Sequence, residues 1–266
     1  MADQPSLDEA EREDRQAPFV YPRLIICEGA DDVAFFGRFI KDRNLPFFHI
    51  RSTGEDRRSR GGNTKFSLAL ESIKLNRAFG NLKDIVIVAD NDDSPGAGFS
   101  QVCDQINEAG YTAPIAPFKK GAGTPSVTVM MLPYDGSQGN LECVLMPAAT
   151  SADPSVAAMS DHCLAVLRAE NWAIPKRGKL WLRINLAARA HDPFISLQSA
   201  LTDPRESKLF RFKGKVLQPI AALLSSFEES PPPANPLSAE RAGQSSRKRA
   251  RTHPGPRMRP LHRRSQ

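Results

Sequence analysis

Two short apolar runs in this chain end in carboxylates. Tyr21 to Cys27 (YPRLIIC) leads into Glu28-Gly29, and Asp84 to Ala89 (DIVIVA) leads into Asp90-Asn91-Asp92-Asp93. Like charges gathered in one cleft repel each other and resist burial, so converging acids call for a bound cation. Oxygen donors with no Cys or His beside them select Mg²⁺ or Mn²⁺ over zinc. Such an ion polarises a phosphoryl oxygen, lowers the pKa of bound water and stabilises a leaving oxygen. A divalent cation held by strand-end carboxylates is the chemistry these residue types support.

Whether the acids converge depends on the elements that carry them. The run before Glu28 reads as a strand, and Asp31 to Arg43 then places Val33, Phe35, Phe36, Phe39 and Ile40 at helical spacing. Phe47 to Arg51 reads as a second strand, residues 64–79 as a helix, DIVIVA as a buried third strand, residues 99–109 as a helix ended by Gly110, and Val127 to Leu132 as a fourth strand. Strands alternating with helices predict an α/β fold: a mostly parallel, four-stranded sheet with helices on both faces. Beyond residue 150 apolar positions recur at helical spacing in 155–170, 179–190 and 215–227, which predicts a helical appendage packed on the sheet. In a parallel sheet the loops after the strands share one edge, where ligands bind. Glu28, Asp90 and Asp92 therefore belong to one edge although some sixty residues separate them.

Further acids and bases join them. Asp32 lies one helical turn beyond Glu28, so both carboxylates can face one point, and Glu142 begins the helix after the fourth strand. Helix starts also favour carboxylates for their own sake, so Asp31, Asp32, Asp93 and Glu142 suit simple capping as well. Arg57, Arg58 and Arg60, in a glycine-bearing loop, offer bidentate donors to phosphate. Lys119 to Thr124 (KKGAGT) lacks the spacing of a nucleoside triphosphate P-loop.

The order strand-Glu-Gly (LIICEGADD), then strand-Asp-x-Asp (IVIVADND), resembles the Toprim domain of topoisomerases, primases, small-RNA maturases and OLD-type nucleases. MLPYDGSQGNLE and GKLWLRINLAARAHDP extend the likeness, over about residues 22–228, to a bacterial family of stand-alone Toprim-like proteins of unknown function. The resemblance implies a Toprim-like, Rossmann-like fold and catalytic roles for Glu28, Asp90, Asp92 and Lys179. Glu28, Asp90 and Asp92 would hold Mg²⁺ or Mn²⁺, with Asp32 and Glu142 serving the same or a second ion. Lys179 would approach the scissile phosphate. Hydrolysis of DNA or RNA is the implied activity, with a separate ATPase or other protein as a further partner. The alternative is a catalytically inactive Toprim-fold module that binds nucleic acid or protein.

Composition sets the remaining bounds. With 40% hydrophobic and 25% charged residues the chain is neither fibrous nor wholly disordered. No apolar run reaches membrane-spanning length and the N-terminus is acidic, so a cytoplasmic protein with no membrane partner is expected. Four cysteines without a C-x-x-C pair read as buried apolar residues. The net charge of +6 is unevenly spread: residues 1–19 hold six acids against two arginines, and residues 231–266 hold nine Lys/Arg against one glutamate. Both ends are expected to be disordered, flanking an α/β core at 20–150 and the helical appendage at 151–230. The basic tail, with Arg247, Lys248, Arg249 and Arg251, is expected to contact phosphates without reading bases. A protein ending at Ser230 should then bind nucleic acid more weakly and lose about 0.7–0.9 from the slope of log K against log salt for each contact removed. Identical slopes for the two proteins would dismiss that arm.

Overall fold

The apolar runs that lead into the carboxylates fold as adjacent strands. A computed structural model describes residues 18–54, 62 and 64–227. Within them β1 (Arg23–Cys27), β2 (His49–Ser52), β3 (Asp84–Asp90) and β4 (Ser126–Leu132) form one sheet in the order β2-β1-β3-β4, every pair parallel. Eight α-helices accompany it among the described residues. They are α1 (Ala30–Arg43), α2 (Phe66–Lys74), α3 (Pro95–Glu108), α4 (Leu141–Ala152), α5 (Pro154–Val166), α6 (Ile174–Arg189), α7 (Leu197–Thr202) and α8 (Gln218–Ser225). The chain thus has the α/β architecture its pattern predicts, with an all-parallel, Rossmann-like sheet.

The inner strands are buried on both faces, which is why they read as continuous apolar runs. Ile25, Cys27, Val86, Val88, Met130 and Leu132 enter one core with side chains of α1, α4, α6, α7 and α8. Their alternating neighbours Leu24, Ile26, Ile85, Ile87, Val127 and Val129 enter the other with α2 and α3. β2, at one edge, is only half buried. Beside β4, at the other edge, Phe118 N–H donates to Val129 O and Gly121 N–H to Val127 O. A Cβ on Gly121 would lie 2.8 Å from two carbonyl oxygens, so the approach requires glycine.

Several boundaries differ from the sequence pattern. The expected division at residue 150 falls inside α4, and the helices beyond it share the core of one sheet face with α1. The helix expected over 64–79 ends at Lys74, because Asn76 Oδ1 accepts the Ala78 N–H in a local turn that competes with the helix. The helix expected over 155–170 ends at Val166, ahead of Arg168 with φ 52°. α6 begins at Ile174 rather than 179, with Pro175 in its first turn. Over 215–227, a single 3₁₀ turn precedes α8. Of the cysteines only Cys27 is buried; Cys103, Cys143 and Cys163 are half-buried, and all four are free. The last three sit on helix flanks and a helix start, where periodicity permits partial exposure.

The N-terminal segment 1–17 and the tail 231–266 lie outside the described residues, as do Arg57, Arg58, Arg60, Arg247, Lys248, Arg249 and Arg251. No helix among the described residues is long and apolar enough to cross a membrane.

Phe35 anchors the larger core. It is fully buried, stacks on Phe39 at 5.3 Å between ring centroids, and meets Phe36 edge-on at 4.9 Å. Phe35→Ala should cost about 3–5 kcal/mol through lost transfer energy and the cavity left behind. Urea unfolding should show this as a lowered midpoint with an unchanged slope.

Candidate carboxylate site

The strand order turns back at β1. The chain moves from β1 to β2 on one side, then crosses to β3 on the other, leaving a crevice above the carboxyl ends of β1 and β3. This is a topological switch point, the usual ligand site of an open parallel sheet. Glu28 stands directly after β1 and Asp90 is the last residue of β3. Glu28 Oε1 accepts the Asp90 backbone N–H at 2.9 Å, joining the two strand ends.

Asp32 completes this corner. As the third residue of α1 its Oδ2 accepts the Gly29 N–H at 3.0 Å, so the capping reading is correct. The same residue is buried and lies close enough to Glu28 for the two charges to repel. Capping and membership of the acid cluster coincide.

Asn91 places the next pieces. It is 2% exposed, and its Nδ2 donates to Pro133 O at 2.7 Å and Ser137 O at 2.8 Å. The loop after β3 is thereby clamped to the turn after β4. Asp92 and Gly139 exchange backbone hydrogen bonds of 2.8 and 2.9 Å across this junction. Asp92 has φ 46°, a left-handed conformation that a short polar side chain tolerates, and it is exposed. Asp93 is also exposed and precedes Ser94 at the start of α3; its carbonyl, not its carboxylate, accepts from Gln138 Nε2.

The clamped turn launches α4 towards the crevice. Asp90 Oδ1 accepts the Leu141 N–H at 3.1 Å, placing a carboxylate against the positive end of a helix. Glu142 follows one residue later, in the first turn. Asn140 caps α4 by accepting the Cys143 N–H, and its Nδ2 donates to Pro175 O at 3.4 Å, tying α4 to the first turn of α6. Gly178 allows α6 to come close: a Cβ there would lie 2.6 Å from Cys143 Sγ. The close approach brings exposed Lys179 to the acids, and Arg183 follows one turn later on the same helix. Burial raises the pKa of Glu28, Asp31 and Glu142, and Lys179 opposes that rise in all three, as Arg183 does at Asp31 and Glu142.

The structure therefore gathers Glu28, Asp32, Asp90, Asp92, Glu142 and Lys179, all named from sequence, and adds Asp31 and Arg183. The sequence signal for Arg183 is its four-residue spacing from Lys179. The positioning roles of Asn91 and Asn140 carry no comparable signal, because they depend on carbonyls brought in by other loops. The Lys119–Thr124 loop is elsewhere: Lys120 Nζ pairs with Asp84 at 2.5 Å, at the amino end of β3.

Burial dominates the electrostatics. It pushes Glu28 up to about 7; Asp92 adds to the rise, and the Asp90 N–H and Lys179 oppose it. Burial and then the neighbouring Glu28 charge push Asp32 up to about 7. Asp90 is held well above the usual carboxylate range by burial, then by Asp32 and Glu28. Glu28, Asp32 and Asp90 each give one oxygen to a backbone N–H, and the other accepts no hydrogen bond among the described residues. No group of three His, Cys, Asp or Glu among the described residues is arranged to hold a metal ion. The donors are hard oxygens, the ligand type that Mg²⁺ and Mn²⁺ take.

Residues 22–229 match the model of a family described as protein of unknown function (DUF3226). No curated protein matches the chain. No solved structure matches it.

These raised pKa values set a pH dependence. A carboxyl that titrates near 7 when folded and near its ordinary 4.5 (Glu) or 3.8 (Asp) when unfolded holds more protons in the folded state between those values. Stability of the metal-free protein should thus fall as pH rises from about 4 to 7, by up to about 1.4 kcal/mol per pH unit for each titrating group, and then level off. Urea midpoints measured in chelator across that range should show the decline, and Glu28→Gln should make it shallower. A stability that rises through the window would contradict the buried cluster.

Proposed function

The chain belongs to the DUF3226 family, and we propose that it hydrolyses phosphodiester bonds in nucleic acid with a divalent metal, as a Toprim-type nuclease does. One observation carries this reading: carboxylates from the ends of β1 and β3 and the starts of α1 and α4 share a crevice with Lys179 and Arg183. A cluster of acids alone would repel phosphate. Cations beside acids that can themselves hold a cation suit an anionic substrate.

Glu28, Asp90 and Asp92 would hold Mg²⁺ or Mn²⁺, with Asp32 and Glu142 placed for the same or a second ion. When bound, the ion supplies Lewis-acid polarisation of the phosphoryl oxygen and a more acidic water. The chain supplies the rest. Lys179 offers a point charge, and Arg183 a planar fork that can grip two phosphate oxygens and hold the strand. Lys179 stabilises charge that develops on the phosphoryl group.

A second reading has an observation in its favour. Because no three ligands among the described residues are arranged around one point, the fold also suits a catalytically inactive module that binds nucleic acid or protein, with an ATPase or other protein as partner.

Thermal unfolding with Mg²⁺ or Mn²⁺ separates the two. A true site should stabilise the protein by about 2.7 kcal/mol when metal is a hundredfold above its Kd, and Asp90→Asn should abolish the rise. On linear, circular and single-stranded DNA and on RNA, Glu28→Gln and Asp92→Asn should lose metal-dependent cleavage while staying folded. Lys179→Ala should slow cleavage by about a hundredfold or more, as loss of one transition-state donor does. Neither stabilisation nor cleavage with either metal would leave the binding module as the function.

A further inference from the structure

Beside the crevice, the segment between α6 and α7 displays an aromatic ring that the core does not use. Phe194 is 91% exposed, whereas the next most exposed aromatic among the described residues, Phe47, is 60% exposed and stacks on Tyr21. The backbone beneath Phe194 is fixed. Its N–H donates to Asp192 Oδ1 at 2.9 Å, the next N–H, of Ile195, donates to Asp192 O at 3.1 Å, and the Ile195 side chain packs against the core.

Both ends of this segment are fastened to the site. Arg183 Nη1 donates to Ile195 O at 3.1 Å, and the Gln198 backbone amide faces the Asp31 carboxylate. Leu197, Ala200 and Leu201 are buried where α7 packs along α1, the helix that carries Asp31 and Asp32. The exposed ring thus stands on a hydrogen-bonded turn whose next residue accepts from Arg183, the arginine assigned to phosphate. An aromatic face beside a phosphate-gripping cation is the arrangement by which proteins hold unpaired nucleotides, stacking the base while the cation takes the backbone. Bases within a duplex are stacked on each other and present no face to such a ring.

We propose that Phe194 is the stacking platform for an unpaired base, so that the site takes single-stranded or frayed nucleic acid in preference to intact duplex. The inference rests on the nucleic-acid reading of the crevice and assigns its substrate class.

Fluorescence anisotropy with labelled single strands of DNA and RNA, an abasic strand of the same length and a blunt duplex tests it without requiring cleavage. Wild-type full-length protein should bind the single strand more tightly than the abasic strand by about tenfold, the order of one stacked base. Phe194→Ala should remove that preference with affinity for the abasic strand unchanged, Phe194→Trp should retain it, and both variants should melt as the wild type does. If the wild type shows no preference for bases, or if Phe194→Ala keeps the preference, the inference is overturned. Base preference that depends on Phe194 in a protein that cleaves no strand with Mg²⁺ or Mn²⁺ supports the platform and dismisses hydrolysis.

Discussion

The hydrogen bond from the Asp90 amide to the Glu28 carboxylate, across the ends of β1 and β3, is the contact on which the site depends. It exists because β3 pairs with β1 in parallel, with Cys27 level with Val88. That register sets Glu28, the residue after β1, level with Ala89, so its side chain reaches the amide of the next residue, Asp90. A shift by one residue would turn every side chain of the strand to the opposite face, sending Cys27 and Val88 out of the core they share. The packing of the two cores therefore holds the acids together. Their repulsion is a cost that apolar burial on both sides of the sheet offsets.

From that contact the remaining groups follow by a chain of backbone attachments. Asn91 binds the turn after β4, the turn starts α4, and Asn140 and Gly178 bring α6 alongside. No attachment in this series is an ion pair. The charged side chains are left with oxygens and nitrogens to spare because polar but uncharged groups position them. Groups meant to change partners during binding or chemistry are best held from behind in this way.

Charge is also sorted along the strands. At the amino end of β3, Asp84 is matched by Lys120 and by the Ser126 hydroxyl at 2.7 Å. At the carboxyl end, carboxylates crowd together and burial raises their pKa values. One end of the sheet pairs its acid with a lysine and a hydroxyl, and the other leaves its carboxylates crowded. A sheet edge that retains such crowding against stability is where ligand chemistry is to be sought.

The sequence by itself determined the strands, the α/β class and the edge on which Glu28, Asp90 and Asp92 fall. Apolar runs buried on two faces are local signals, and parallel pairing then puts all strand-end loops on one side. It could not distinguish Asp32 as a cap from Asp32 as a member of the cluster, since both roles use the same position in the first turn of α1. Only the tertiary structure decided that both hold, that Arg183 joins Lys179, and which side chains beyond 150 share the core of one sheet face with α1. Those outcomes depend on the close approach at Gly178 and on carbonyls offered by distant loops. Nothing in the spacing of residues along a chain encodes which backbone oxygen will stand opposite an asparagine.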